Sequence, residues 1–354
     1  MPHCKKNCIS LFLTNQCNLS CRYCYCEKSK DRQTINTDFA KAGIDDFFNN
    51  FGHVYLRLFG DGEPTLEFQK MKELIFYARK KDRKAVIELQ TNGFFPKKIP
   101  DYIIKNIQIV WISCDGPNDI QNYYRPTKIN TGSSDIVEKN IKYLSKKVDK
   151  LGIRITIGAK NVKRQKELVD YFNNLGAKYI YTDLLFKPVK SNLGIEKTSP
   201  LEYAKQFIKA KKYAESLGIF YGSFFEINFD GKTDISCRSC NPSSHLTTDG
   251  YVTCCDMAYN GKVFPAMVYG EYNSKTNKII YDKNKINIIQ SRRVDNLTEC
   301  KDCNIKYNCA GGCFGEALNE TETILGIKKE NCKAIKFLAK HIPLNKKTYP
   351  IFHP

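Results

Sequence analysis

Cys17-Asn18-Leu19-Ser20-Cys21-Arg22-Tyr23-Cys24 is the stretch that decides how this chain is read. Three cysteines stand three and then two residues apart, directly after a short β-type run at 9–13. A [4Fe-4S] cluster normally takes four thiolates. Three thiolates on one loop can hold three irons and leave the fourth open to an outside ligand, which is what separates a reactive metal site from a closed structural one. The same spacing also suits a zinc knot, or a four-cysteine cluster completed by Cys26, so the surroundings have to choose.

From residue 8 to residue 186, short β-branched or aromatic runs alternate with longer amphipathic ones, the pattern of repeated βα units around a parallel sheet. Strands are expected at 9–13, 54–59, 85–90, 109–113, 153–158 and 179–184. Helices are expected at 38–49, 67–80, 100–105, 134–151 and 163–175. The fourth helix opens on the capping signal Ser133-Ser134-Asp135 and is expected to stop at Gly152. Six units are too few for a closed eight-stranded barrel, so the fold class is α/β, a partial (β/α)6 barrel with chemistry at the C-terminal ends of its strands. A Pro- and Gly-containing link at 187–199 leads to a helix over 200–217. Beyond it, nine of the sixteen cysteines crowd among turn residues. The domains are therefore set at 1–190 for the barrel, 191–219 for a bridging helix region and 220–354 for a metal-stapled domain ending in a helix.

The chain has 354 residues, 42% of them apolar and 26% charged, enough for a sizeable core. No apolar run approaches the roughly 18 to 20 residues that span a bilayer, and Met1-Pro2-His3-Cys4-Lys5-Lys6 is not a signal-peptide start. A cytoplasmic protein without a membrane partner is expected. Reducing conditions make a disulfide framework improbable there, so the cysteines are read as metal ligands. The formal charge of +19 is read as a Lys-rich solvated surface, and a nucleic-acid partner is not expected.

The cysteine loop, with Tyr23 before its last cysteine, resembles the radical S-adenosylmethionine superfamily. The resemblance implies that Cys17, Cys21 and Cys24 hold a [4Fe-4S] cluster whose open iron is chelated by S-adenosylmethionine. Reductive cleavage then gives a 5′-deoxyadenosyl radical that takes a hydrogen atom from substrate. Gly60-Asp61-Gly62-Glu63-Pro64 resembles the family's G-G-E-P segment at the methionine amino group; Gly62, Glu63 and Pro64 match, and Asp61 replaces a Gly. Asn92, in Thr91-Asn92-Gly93, is a further cofactor-binding candidate, with a plain Asn-Gly turn as the alternative. Ile112-Ser113-Cys114-Asp115-Gly116-Pro117 and Arg125 look like a pattern in which Ser113 and Asp115 meet the ribose side and Arg125 reaches the carboxylate.

Cys300, Cys303, Cys309 and Cys313 read C-x2-C-x5-C-x3-C, followed by Cys332; upstream stand Cys237, Cys240, Cys254 and Cys255. Paired zinc ribbons normally set their knuckles about 15 to 20 residues apart, which this run does not. The arrangement resembles the SPASM domain of peptide and protein maturases, which holds two auxiliary [4Fe-4S] clusters, three clusters in all. The resemblance assigns Cys300, Cys303, Cys309 and Cys332 to one, and Cys237, Cys240, Cys255 and Cys313 to the other, with Cys254 competing with Cys255. An Asp249-Gly250 turn is expected to fold 246–248 onto 251–253 and bring Cys240 to Cys255. Cys4, Cys8 and Cys26 are not expected to be ligands.

A winged-helix leader-binding domain has no room before the first strand, so the layout is similar to the anaerobic sulfatase-maturating type. In that type an Asp directly after an auxiliary-cluster cysteine acts as base, which makes Asp256 the catalytic candidate; where that type has Gln-Gly, however, this chain has Gly60-Asp61. The expected function is oxidative modification of a ribosomal peptide or protein, giving a thioether, a carbon–carbon crosslink, an epimer or formylglycine. Expected partners are that substrate, a flavodoxin or ferredoxin as reductant, and a separate leader-peptide-binding protein. Tetrapyrrole or small-molecule maturation, RNA modification and a non-catalytic electron carrier are the alternatives.

Overall fold

The computed structural model describes residues 7–26, 31–96, 98–186 and 194–346. Cys4, most of the link at 187–199 and the boundary set at residue 190 lie outside the described residues. Seven strands, β1 (Ile9–Phe12), β2 (Tyr55–Phe59), β3 (Val86–Thr91), β4 (Ile109–Ser113), β5 (Lys150–Ile157), β6 (Tyr179–Leu184) and β7 (Phe220–Ser223), lie parallel in sequence order. On the other side of β1 the sheet continues into β8 (His245–Leu246), parallel to β1, and then antiparallel through β9 (Tyr251–Thr253), β10 (Val268–Asn273) and β11 (Lys278–Tyr281). The edges β7 and β11 do not pair with one another, so the barrel stays open.

Helices α1 (Thr37–Phe51), α2 (Phe68–Lys81), α3 (Lys98–Asn106), α4 (Asn118–Tyr124), α5 (Ser134–Leu144), α6 (Gln165–Asn174) and α7 (Pro200–Ser216) alternate with the parallel strands. Four more, α8 (Lys283–Gln290), α9 (Lys306–Cys309), α10 (Phe314–Thr321) and α11 (Lys329–His341), belong to the C-terminal part, and α11 packs against α7. Helix α1 shows why such segments form. Asn36 Oδ1 caps it by accepting from the backbone N–H of Asp38 and Phe39, and Phe39, Ala40, Ile44 and Phe47 make one buried stripe. None of the described helices is long and apolar enough to cross a membrane.

Inside the barrel, Ile109, Trp111 and Tyr181 plug the N-terminal end. Gly152 makes room for the indole: a Cβ there would lie 2.2 Å from Trp111 Cζ3. Three local expectations need correction. The helix expected over 134–151 ends at Leu144, and Lys150 and Leu151 already belong to β5, pairing with Ile109 and Val110. Its start is secured from outside, since Asn122 Oδ1, not Ser133, accepts from the N–H groups of Ser133 and Ser134. The hairpin at Asp249-Gly250 is longer than a two-residue turn. Residues 247–250 separate β8 from β9, and Thr247 Oγ1 accepts from the Tyr251 N–H.

Candidate active site

The loop bearing Cys17, Cys21 and Cys24 leaves the C-terminal end of β1 and is stapled on both flanks. Ser20 and Arg22 donate their N–H groups to the carbonyls of Pro126 and Tyr124, at 2.8 and 2.9 Å. On the β3 side, Asn18 Nδ2 donates to the Phe94 carbonyl at 2.7 Å, and Asn92 Nδ2 donates to Asn18 Oδ1 at 2.8 Å and lies 3.6 Å from Cys17 Sγ. Burial, reinforced by the Glu63 charge, pushes the Cys17 thiol up to about 11. Burial pushes Cys21 up to about 12 against the pull of Arg125. Thiols held this way ionise only beside a strong cation, which suits a cluster of iron ions. Cys26 hydrogen-bonds to Cys24, one sulfur away from the trio.

Gly62 packs so tightly under this loop that a Cβ would stand 2.2 Å from the Gln16 carbonyl oxygen, while the Glu63 N–H donates to that same carbonyl at 2.8 Å. Pro64 opens the 3-10 turn Pro64–Glu67 that follows. The Glu63 carboxylate is buried and fully engaged: Oε1 accepts from Thr65 Oγ1 and Thr91 Oγ1, both at 2.7 Å, and Oε2 from the Asn92 N–H at 2.7 Å. It fastens the β2 and β3 termini together under the cysteines. Ser113, half-buried, ends β4. Asp115 and Arg125 hold one another: Asp115 Oδ2 accepts from Arg125 Nε at 2.9 Å and from Tyr23 Oη at 2.5 Å, and Oδ1 from the Thr156 N–H at 2.9 Å. Any contact either makes with a cofactor starts from this buried pair. Gln121 and Asn161, which sequence reasoning missed, complete the frame by bonding the Asp115 N–H and carbonyl.

The C-terminal cysteines line two cavities. Cys300, Cys303, Cys309 and Cys332, together with Cys313, surround one of about 60 Å³. Cys237, Cys255 and Cys313 line another, of about 300 Å³, with Cys240 buried behind and hydrogen-bonded to Cys237. Cys254 is fully buried and does not line that cavity. Burial pushes Cys255 and Cys309 up to about 12; the bond with Cys240 draws Cys237 down to about 5. Among the described residues no three His, Cys, Asp or Glu side chains close on a single-ion point. Four thiols spread around a cavity are a donor set that fits a polynuclear cluster.

The larger cavity opens at the C-terminal ends of the strands, where Tyr23 and Tyr25 of the cysteine loop, Phe59, Phe186 and Phe224 contribute aromatic surface to its lining. Asp256 lies on its wall, its side chain 27% exposed. Arg57, wholly buried on β2, grips that carboxylate from Nη1 at 2.6 Å and Nη2 at 2.9 Å, and His245 Nε2 lies 2.7 Å from Oδ1. Burial alone would raise the Asp256 carboxyl, but Arg57 and His245 outweigh it and hold the group well below the usual carboxylate range. Neither Arg57 nor His245 was found from sequence. A charged residue inside the otherwise apolar run Tyr55-Leu56-Arg57-Leu58-Phe59 was the available signal, because such a residue needs a partner.

Residues 11–173 match the model of the Radical SAM superfamily. The chain is 24% identical over 324 residues to a cysteine-type anaerobic sulfatase-maturating enzyme of Clostridium perfringens, covering 84% of this chain and 85% of that one. It resembles the solved structure of native anSMEcpe with bound AdoMet and Cp18Cys peptide, with a TM-score of 0.77, 20% identity and coverage of 94% and 96% of the two chains. Streptococcus suis SuiB bound to its precursor peptide SuiA gives 0.69 at 15% identity, covering 92% of this chain and 75% of that one.

Proposed function

Because this chain carries a radical SAM domain, we propose that it is a peptide- or protein-modifying enzyme that oxidises a substrate side chain in the larger cavity, with cysteine-to-formylglycine conversion as the reaction to test first. When bound, S-adenosylmethionine and its cluster would supply hydrogen-atom abstraction and an auxiliary cluster would accept the second electron, while water would supply the aldehyde oxygen as the cysteine sulfur leaves as hydrogen sulfide. In this reading Cys17, Cys21 and Cys24 hold that cluster. Tyr23, the Gly62-Glu63-Pro64 turn, Asn92, Ser113, Asp115 and Arg125 form the cosubstrate's surroundings. Cys237, Cys240, Cys255 and Cys313 hold one auxiliary cluster, and Cys300, Cys303, Cys309 and Cys332 the other. The division of labour follows the chain: barrel at 1–190, bridge at 191–219, auxiliary-cluster domain at 220–354.

Asp256 is the proton acceptor. Arg57 and His245 keep its carboxylate proton-free, and the low basicity that results suits a proton made acidic by loss of a neighbouring hydrogen atom. The observation that carries the reading is one juxtaposition: Tyr23 and Tyr25 of the cysteine loop, the thiols of Cys237, Cys255 and Cys313, and Asp256 all face the same cavity of about 300 Å³. A peptide substrate is further supported by the names of the relatives, one a sulfatase-maturating enzyme and one a protein solved with its precursor peptide. The reading includes a flavodoxin- or ferredoxin-type reductant, a separate leader-binding protein for leader-bearing substrates, and a cytoplasmic setting.

The test is an anaerobic incubation of reconstituted protein with reductant, S-adenosylmethionine and a synthetic cysteine-containing peptide. An aldehyde-reactive probe on the peptide supports formylglycine formation; a peptide recovered unmodified while S-adenosylmethionine is cleaved counts against it.

A further inference from the structure

One polar element on the cavity floor has no part in that reaction. Asp183 on β6 and Arg154 on β5 face the cavity from neighbouring strands, 29% and 28% exposed, and Arg154 Nη2 donates to Asp183 Oδ2 at 2.5 Å. The pair is held from behind. Arg154 Nη1 donates to Gln90 Oε1 at 3.3 Å, Gln90 Nε2 to Glu88 Oε1 at 3.1 Å, and Glu88 accepts from Tyr55 Oη at 2.6 Å and Arg57 Nε at 3.3 Å. A chain of hydrogen bonds across β2, β3 and β5 thus fixes the carboxylate before any ligand arrives, the preorganisation expected of a recognition group.

Asp183 Oδ1 has no hydrogen-bond partner among the described residues. A carboxylate oxygen without a donor, among Phe59, Tyr181 and Phe224, is a standing demand for one. Rotation about Cβ–Cγ is soft and two-fold, so one oxygen can keep Arg154 while the other turns to a ligand. Among the described residues Arg154 is paired with Asp183 and Arg57 with Asp256, while Arg238 lies 3.9 Å from Asp256. An acidic side chain entering beside Asp183 meets like charge.

Resting on the peptide-modifying reading, we infer that Asp183 determines specificity: it accepts a hydrogen bond from an uncharged N–H donor of the substrate residue flanking the modified position, and it rejects an acidic residue there. Two synthetic peptides that share one cysteine and differ only in Gln or Glu beside it, titrated into the reconstituted holoprotein by fluorescence anisotropy, test this. The wild type is expected to prefer the Gln peptide by about tenfold or more. In Asp183→Asn, which keeps the shape but not the charge, the preference is expected to fall to about twofold or less. An equal preference in wild type and variant overturns the inference. Should Asp183→Asn fail to fold, Asp183→Glu keeps the charge and displaces it by one methylene. Weaker binding of both peptides is then expected, and unchanged affinities overturn the inference. Wild-type protein that binds both peptides equally overturns the inference alone; wild-type protein that binds neither overturns the peptide-modifying reading and the inference with it.

Discussion

Replacing Asp256 by Asn separates what the carboxylate does for the fold from what it does for the reaction. The substitution removes the negative charge from two bonds to buried Arg57, 2.6 and 2.9 Å long, and from beside His245 at 2.7 Å, and it turns an amide NH2 toward the Arg57 guanidinium, itself a donor. Breaking a buried ion pair by deleting one partner costs about 3–5 kcal/mol. Glu88 stays 3.3 Å from Arg57 Nε and keeps the cation partly compensated, which places this variant near the lower figure, about 3 kcal/mol. In a chain of this size that lowers Tm by roughly 4 °C. Chemically, loss of a positioned proton acceptor slows product formation by about 100-fold. Hydrogen abstraction does not pass through Asp256, so 5′-deoxyadenosine continues to form. The assay measures both products by mass spectrometry in one reaction, well below the lowered Tm. The ratio of modified peptide to 5′-deoxyadenosine is expected to fall about 100-fold with iron content unchanged. An unchanged ratio removes Asp256 from the reaction, and an unchanged Tm refutes the energetic argument about Arg57.

Two further outcomes are expected. Changing Cys17, Cys21 and Cys24 together to Ala should remove about four of about twelve irons per chain by colorimetric assay and abolish S-adenosylmethionine cleavage, whereas Cys26→Ala should leave both intact. Gly152→Ala, which drives a methyl into the Trp111 ring from 2.2 Å, should destabilise the protein by about 1–3 kcal/mol in a denaturant titration without changing iron content.

What could be read from the sequence was local. The spacing of Cys17, Cys21 and Cys24 and the strand runs at 54–59, 109–113 and 179–184 depend on neighbours a few residues away, and each appears in the fold at or near its expected place. The helix expected to reach residue 151 overran because Lys146 and Lys147 continue a tolerable helical pattern, while the pull of Leu151 into the sheet comes from Val110, far away in sequence. β7 and β8 carry four and two residues, too few to show a period. The bond between Arg57 and Asp256 spans 199 positions, and the polar chain from Glu88 through Gln90 to Arg154 and Asp183 joins three strands. Such contacts exist only once strand order brings inward-facing side chains to one layer. The cysteine sets around the two C-terminal cavities lie between these cases, since their grouping followed from the family resemblance, and the fold places Cys313 on the lining of both cavities.

The central claim is that this chain cleaves S-adenosylmethionine at the cluster held by its first cysteine loop. Protein reconstituted without oxygen, reduced with dithionite and mixed with S-adenosylmethionine should release 5′-deoxyadenosine over time, detected by liquid chromatography with mass spectrometry. Iron-loaded protein that releases none while its S-adenosylmethionine remains whole would contradict it.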